Sequence, residues 1–215
     1  MEILTDFQKE ALRALSEHPH FADYYLTGGT ALSAFYLKHR YSEDLDFFTE
    51  SPGGVARAET IVRSLADKLG LRLTMGRRFQ TLFECSAHNQ KGETIEMDFA
   101  LDMPGRLKPM RPREAFGVDL DNAEDISCNK LSALYERAEP KDFVDIYFIV
   151  QDILPFRELW EKSRLKYPSL DAYGLAVAFS KVKSLDILPR MVRPIALEML
   201  RSFFLERASE LSKAF

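Results

Sequence analysis

Asp44 and Asp46 stand two residues apart, and Asp98 lies in a separate segment of similar make-up. In an extended strand, residues i and i+2 point the same way. Asp44 and Asp46 therefore share one face of a strand over 44–48, with Leu45 and Phe47 on the other. Over 94–101, Ile95, Met97, Phe99 and Leu101 form an apolar face, and Asp98 stands opposite beside Glu96 and Ala100. If the two strands are neighbours, the aspartates converge. Like charges that close repel and raise each other's pKa, so the arrangement costs stability unless something positive binds. A hard cation such as Mg2+, or Mn2+, takes oxygen ligands. A pair of such ions can activate an attacking hydroxyl and stabilise a leaving pyrophosphate oxygen. Asp-x-Asp alone is commonplace on solvated strands. Here the apolar support under both strands and a glycine pair upstream give it weight.

That pair, Gly28-Gly29, sits between a short strand over 24–26 and an expected helix over 30–39. Glycine lets backbone approach a ligand closely. A helix start presents free N–H groups and a positive dipole end to phosphate, and Thr30 can add a hydroxyl. Arg40, just before the Asp-x-Asp strand, could reach a phosphate. His39 has no metal-ligand partner at spacing and reads as structural. Further on, Lys130, Ala133, Leu134 and Arg137 fall at i, i+3, i+4 and i+7, one stripe of a helix. Lys130 is a compact charge suited to a triphosphate oxygen. Arg137 reads better as half of a structural ion pair with Asp142 or Asp145. Those two aspartates either orient Lys130 or meet a nucleotide base.

The elements that must position these groups are legible in outline. A capped helix starts after Thr5. Another runs over 55–69 and stops at Gly70. Strands over 78–88 and 94–101 pair through a polar hairpin at 89–92. Residues 102–125 carry Pro104, Pro109 and Pro112 with little periodicity, and read as a connection wrapping the core. Beyond it, helices are expected at 126–138, 140–152, 156–166, 170–182 and 194–213, punctuated by prolines. The expected fold is α+β: a small mixed sheet with flanking helices over 1–120, then a helical domain over 121–215, with the site in the cleft between them.

Composition is that of an ordinary globular chain. The net charge of −4 argues against a protein that coats nucleic acid. Residues 1–150 hold 18 Lys+Arg against 25 Asp+Glu, whereas 151–215 hold 11 against 8, so the acidic front suits a metal site and the basic tail could touch phosphates. Cys85 and Cys128 form no CxxC pattern and read as free thiols of a reducing compartment. An acidic amino terminus and the lack of a long apolar run predict neither secretion signal nor membrane span, hence a cytoplasmic location.

Together these motifs resemble a known superfamily. Apolar-Gly-Gly, then Asp-Leu-Asp-Phe, then a third Asp on a later strand is similar to the polymerase-β nucleotidyltransferases. The strings Gly28-Gly29-Thr30-Ala31-Leu32 and His39 to Phe47, with Asn129 to Leu134, Arg137 and Lys141 to Asp145, resemble the AbiEii/AbiGii toxin-like nucleotidyltransferases of toxin–antitoxin and phage-defence systems. The fourteen residues between Gly29 and Asp44 exceed the usual superfamily spacing and fit this subgroup's longer helix. The resemblance implies that Asp44 and Asp46 share metal, that Asp98 completes the site and assists as base, and that Gly28, Gly29 and Ser42 contact the triphosphate. It implies an NTP substrate, an RNA acceptor (the tRNA 3′ end above all), growth inhibition and a cognate antitoxin. Two rival readings stand beside it: transfer to a small molecule or a protein hydroxyl, and nucleotide binding without turnover.

Overall fold

The computed structural model describes residues 2–103 and 105–212. Pro104 in the expected connection, and residue 213 at the end of the expected last helix, lie outside them. The chain has a mixed α/β fold and divides into two compact units, one of residues 1–36, 42–105 and 109–122, the other of 37–41, 106–108 and 123–215.

The first unit opens with α1 (Asp6–Ser16), β1 (Tyr25–Thr27), α2 (Gly28–Ala31), β2 (Leu45–Thr49) and α3 (Gly54–Leu69). It continues with β3 (Arg72–Arg78), β4 (Leu82–His88), β5 (Thr94–Leu101), β6 (Arg111–Ala115) and β7 (Val118–Leu120). The seven strands form one sheet in the order β3-β4-β5-β2-β1-β7-β6. It is mixed: β2 runs parallel to β5 and β1 to β7, and the other pairs are antiparallel.

Alternation decides which face is buried. Leu45, Phe47, Phe83, Cys85, Ala87, Ile95, Met97 and Phe99 all point to one side and are buried. The apolar stripe of α3 (Val55, Ala58, Ile61, Val62, Leu65) is buried with them, and α3 packs on β4 and β5. Phe21 stands edge-on to Phe47, and Tyr24 edge-on to Phe99, at 5.1 and 5.7 Å. Burying each large apolar side chain contributes roughly 2 kcal/mol. The opposite face of β4 and β5 alternates polar residues and stays open.

The sheet is larger than the small one expected. Three strands escaped the pattern for physical reasons. The exposed margin strand β3 is charged and lacks clean alternation. β7 is only three residues long. β6 contains Pro112 and lies on the opposite edge, where a missing N–H costs no ladder bond. The proline-bearing connection therefore supplies two strands instead of merely wrapping the core. The helix expected over 30–39 begins at Gly28, widens into a π-helical turn over Leu32–Leu37, and ends where Lys38 takes φ +50°.

The second unit contains α4 (Ala123–Glu136), α5 (Pro140–Asp152), α6 (Phe156–Lys166), α7 (Ala172–Ser180) and α8 (Leu197–Ser212). Phe143, Phe179 and Phe204 meet edge-on in its core, 4.9 and 5.0 Å apart. Buried Asp125 accepts from Lys166 Nζ at 2.6 Å and from the amides of Leu107 and Lys108 at 3.0 Å, tying 106–108 to α4 and α6. Residues 37–41 join this unit through an Arg40–Met191 bridge and the His39 carbonyl, which accepts from the Val192 and Arg193 amides.

Candidate active site

The sheet register brings the acidic residues together. β1, β2, β5 and β4 align Thr27, Asp46, Asp98 and Glu84 as successive cross-strand partners. Neighbouring strands lie about 4.8 Å apart, so Asp46, Asp98 and Glu84 form a continuous acidic row on the open face. All three are half-buried. Asp44 lies just before β2, at the end of a loop held from two sides. The Thr30 hydroxyl donates to the Asp44 carbonyl, and the buried Gln8 amide donates to the Glu43 carbonyl at 2.9 Å and that of Ser42 at 3.4 Å. Gln8 is itself fixed by a reciprocal capping box with Thr5.

Electrostatics record the crowding. The Asp98 carboxyl is pushed up to about 7, first by burial and then by the negative charge of Asp46, Glu84, Asp44 and Glu96. Glu84 is held below its usual value by the Arg77 guanidinium, which grips it through Nε at 2.7 Å and through Nη2. The donor set suits a hard divalent cation, being all carboxylate oxygen with excess negative charge. Among the described residues, no group of three His, Cys, Asp or Glu forms a ready-made ion cage. Mg2+ seldom needs one, since it commonly takes one or two carboxylates and completes its shell with water and substrate phosphate.

The glycine pair borders this row. Gly28 has φ +70°, and a Cβ built there would lie 1.8 Å from Asp46 Oδ2 and 2.4 Å from its Cγ. Only glycine allows that approach of the α2 backbone to the Asp46 carboxylate. Gly29 and Thr30 follow it as buried residues of α2. Thr30 spends its hydroxyl on the Asp44 backbone, a positioning contact. Beside Asp46, the Thr27 hydroxyl donates to Asp121 at 2.7 Å, and the Asp121 amide donates to Leu26. This locks β1 to the end of β7.

Within the second unit, Arg40, Lys130, His39 and Asp145 form a buried cluster. Arg40 grips Asp145 through Nε at 2.6 Å and Nη2 at 2.8 Å. Lys130 Nζ lies 2.8 Å from Asp145 Oδ2, and His39 Nε2 is 2.7 Å from Oδ1. Burial would raise the Asp145 pKa, but Lys130 and Arg40 hold it well below the ordinary carboxylate value. Burial lowers His39 against the pull of Asp145. Among the described residues the buried His39 Nδ1 has no hydrogen-bond partner. Arg137 pairs with buried Asp142 at 2.8 and 2.9 Å, as its spacing suggested. Asp142 also accepts from the Glu139 amide and so closes the first turn of α5.

Sequence reasoning missed Glu84, Gln8 and Arg77. A signal for Glu84 was available. In the β4–β5 hairpin His88 pairs with Thr94, so counting back along both strands puts Glu84 opposite Asp98. Nothing local marks Gln8 as the support of a loop 35 residues away.

Comparison with known proteins bears on the family and the fold. A family model described as nucleotidyl transferase AbiEii toxin, type IV TA system, matches residues 10–212. The protein aq_aa25 of Aquifex aeolicus (strain VF5) is 30% identical over 172 residues, covering 80% of this chain and 79% of that one. JHP933 from Helicobacter pylori shares the fold at TM-score 0.61 and 16% identity, covering 98% of this chain and 94% of that one. MenT4, a nucleotidyltransferase toxin from Mycobacterium tuberculosis H37Rv, does so at TM-score 0.59 and 16% identity, over 96% and 82%.

Proposed function

The chain belongs to the AbiEii family of nucleotidyltransferase toxins of type IV toxin–antitoxin systems, and from that membership we propose that it transfers a nucleoside monophosphate from an NTP to an RNA 3′ hydroxyl. The observation that carries this reading is the in-register Asp46–Asp98 pair with Gly28 pressed against Asp46. A carboxylate row beside a helix start whose backbone can approach closely suits a triphosphate and its counter-ion.

In this reading Asp44, Asp46 and Asp98 hold Mg2+, which when bound offsets charge on the phosphates. The amides of Gly28 and Gly29, with Ser42, hold triphosphate oxygens. Asp98 takes the proton of the acceptor hydroxyl as its oxygen bonds to the α-phosphorus. The bond from that phosphorus to the pyrophosphate oxygen breaks, and pyrophosphate leaves. Within the second unit, Lys130 Nζ lies 2.8 Å from Asp145 Oδ2. Arg40 and Asp145 hold that lysine in place, and Arg137 with Asp142 fixes the turn between α4 and α5 behind it. The growth-inhibiting product is an RNA blocked at its end, with the tRNA 3′ end the foremost acceptor. Family membership implies a cognate antitoxin. Among the described residues no helix is long and apolar enough to cross a membrane.

The test is transfer from each NTP labelled at the α-phosphate, with Mg2+, onto total cellular RNA, with Asp44→Ala alongside. Label in a discrete RNA band that the variant loses supports the reading. Label in protein or in a small product redirects the acceptor. No labelled product with any NTP overturns transfer altogether.

A further inference from the structure

The open face of the first unit ends in a cationic margin that the chemistry above leaves unused. β3 is the free edge of the sheet. It carries Arg72, Arg77 and Arg78, followed by Phe79, which is 59% exposed. The strand is bulged: Met75 pairs with Cys85 and Arg78 with Phe83, so β3 spends one residue more than β4. Gly76 lies in the bulge, where a Cβ would come within 3.1 Å of Glu84 Cβ. The extra residue turns Arg77 onto the open face, against Glu84 and within the field of Asp98. Arg72 pairs in register with His88 on the same face and is exposed, and among the described residues no hydrogen bond or ion pair engages its side chain. On the other side of the margin Arg78 and Arg63 share Glu59. On the open face two guanidinium groups, Arg72 and Arg77, thus stand at the outer end of the acidic row, while Arg78 and Arg63 serve Glu59 on the other side.

Such an edge suits a polyanion better than another strand. Charged side chains and a bulge are the devices that prevent edge-to-edge pairing. Exposed ion pairs such as Arg77–Glu84 are weak and exchange partners at little cost. An exposed ring beside arginines can stack a base of any identity. β3 also lies two strand spacings, about 10 Å, from β5 and its Asp98.

We propose that β3 is the platform on which a single-stranded RNA 3′ end is laid, with Arg72 and Arg77 on its phosphates and Phe79 under a base, so that its terminal hydroxyl reaches the acidic row. This inference rests on the RNA-acceptor reading above.

The test uses the full chain and a fluorescein-labelled single-stranded RNA with a free 3′ hydroxyl, titrated by anisotropy over a range of salt. Arg72→Ala with Arg77→Ala weakens binding at least tenfold. It also lowers the slope of log K against log salt by about 1.4, since each lost phosphate contact on a single strand is worth about 0.7. Lysine at both positions restores the slope. Phe79→Ala weakens binding about tenfold and leaves the slope unchanged. Circular dichroism confirms that the variants fold. Wild-type affinity in these variants, or no salt-dependent RNA binding by the unaltered protein, overturns the platform. If the unaltered protein still labels RNA while the variants match it in KM for RNA, the platform falls and the transfer reading survives. If no RNA is labelled at all, the RNA-acceptor reading is what fails.

Discussion

Replacing Gly28 by alanine perturbs the site at one atom and tests its whole geometry. The new Cβ meets Asp46 Oδ2 at 1.8 Å, Cγ at 2.4 Å and Cβ at 2.8 Å. Rotating the carboxylate away cannot relieve the last of these, so the α2 start or β2 must shift. Alanine at φ +70° adds about 1–2 kcal/mol of backbone strain, and overpacking adds about 1–3 kcal/mol. The sum, roughly 2–5 kcal/mol, lowers Tm by about 10 °C at this chain length. The functional loss is of the same order, because a displacement near 1 Å at a reacting centre costs about a hundredfold in rate, or about 2.7 kcal/mol. Differential scanning calorimetry and labelled nucleotide transfer, both run well below the variant's Tm, measure the two effects separately. A Gly28→Ala protein with unchanged Tm and more than half the wild-type transfer rate would refute the close approach of α2 to Asp46 and the triphosphate role built on it.

Three further outcomes follow from the burial and charge of particular groups. Asp145→Ala leaves Arg40 and Lys130 buried without their carboxylate, so chemical denaturation should show a loss of about 3–5 kcal/mol. Because Asp145 is held well below its ordinary 3.8, its contribution is complete above that value and drains away as pH falls from about 3.8 through the depressed value. Asp98 behaves oppositely. Its carboxyl, raised from 3.8 to about 7, makes the metal-free protein lose stability as pH rises across that window. Asp98→Asn should flatten the decline, and Asp46→Asn should lower the Asp98 titration midpoint read by NMR; an unmoved midpoint would mean that the two carboxylates are not neighbours. Cys85 and Cys128, buried and pushed up to about 12 and about 11, should resist alkylation at pH 8 in the native state and react on unfolding. Rapid native labelling of either thiol would contradict its burial.

Much of the site was legible from side-chain periodicity, because strand alternation is a local property. Asp44, Asp46 and Asp98 each sit opposite an apolar support that the sequence displays. Gly70 as a helix stop, the turn at 89–92 and the Arg137–Asp142 spacing are equally local. What periodicity could not reveal is which strands are neighbours. The parallel pairing of β2 with β5, which sets Asp46 beside Asp98, depends on the packing of α3 and the aromatic core beneath the sheet. No residue on either strand encodes it alone. The same holds for Gln8, which supports Glu43 across a long loop, and for the bulge that aims Arg77 at Glu84. Tertiary structure also reassigned residues 37–41. His39 and Arg40 adjoin the Asp-x-Asp motif in sequence, yet their side chains are spent in the second unit on Asp145, because a fully buried carboxylate requires cations and hydrogen bonds from wherever the chain can bring them. Local pattern thus marked the candidate residues, and long-range packing decided which of them meet.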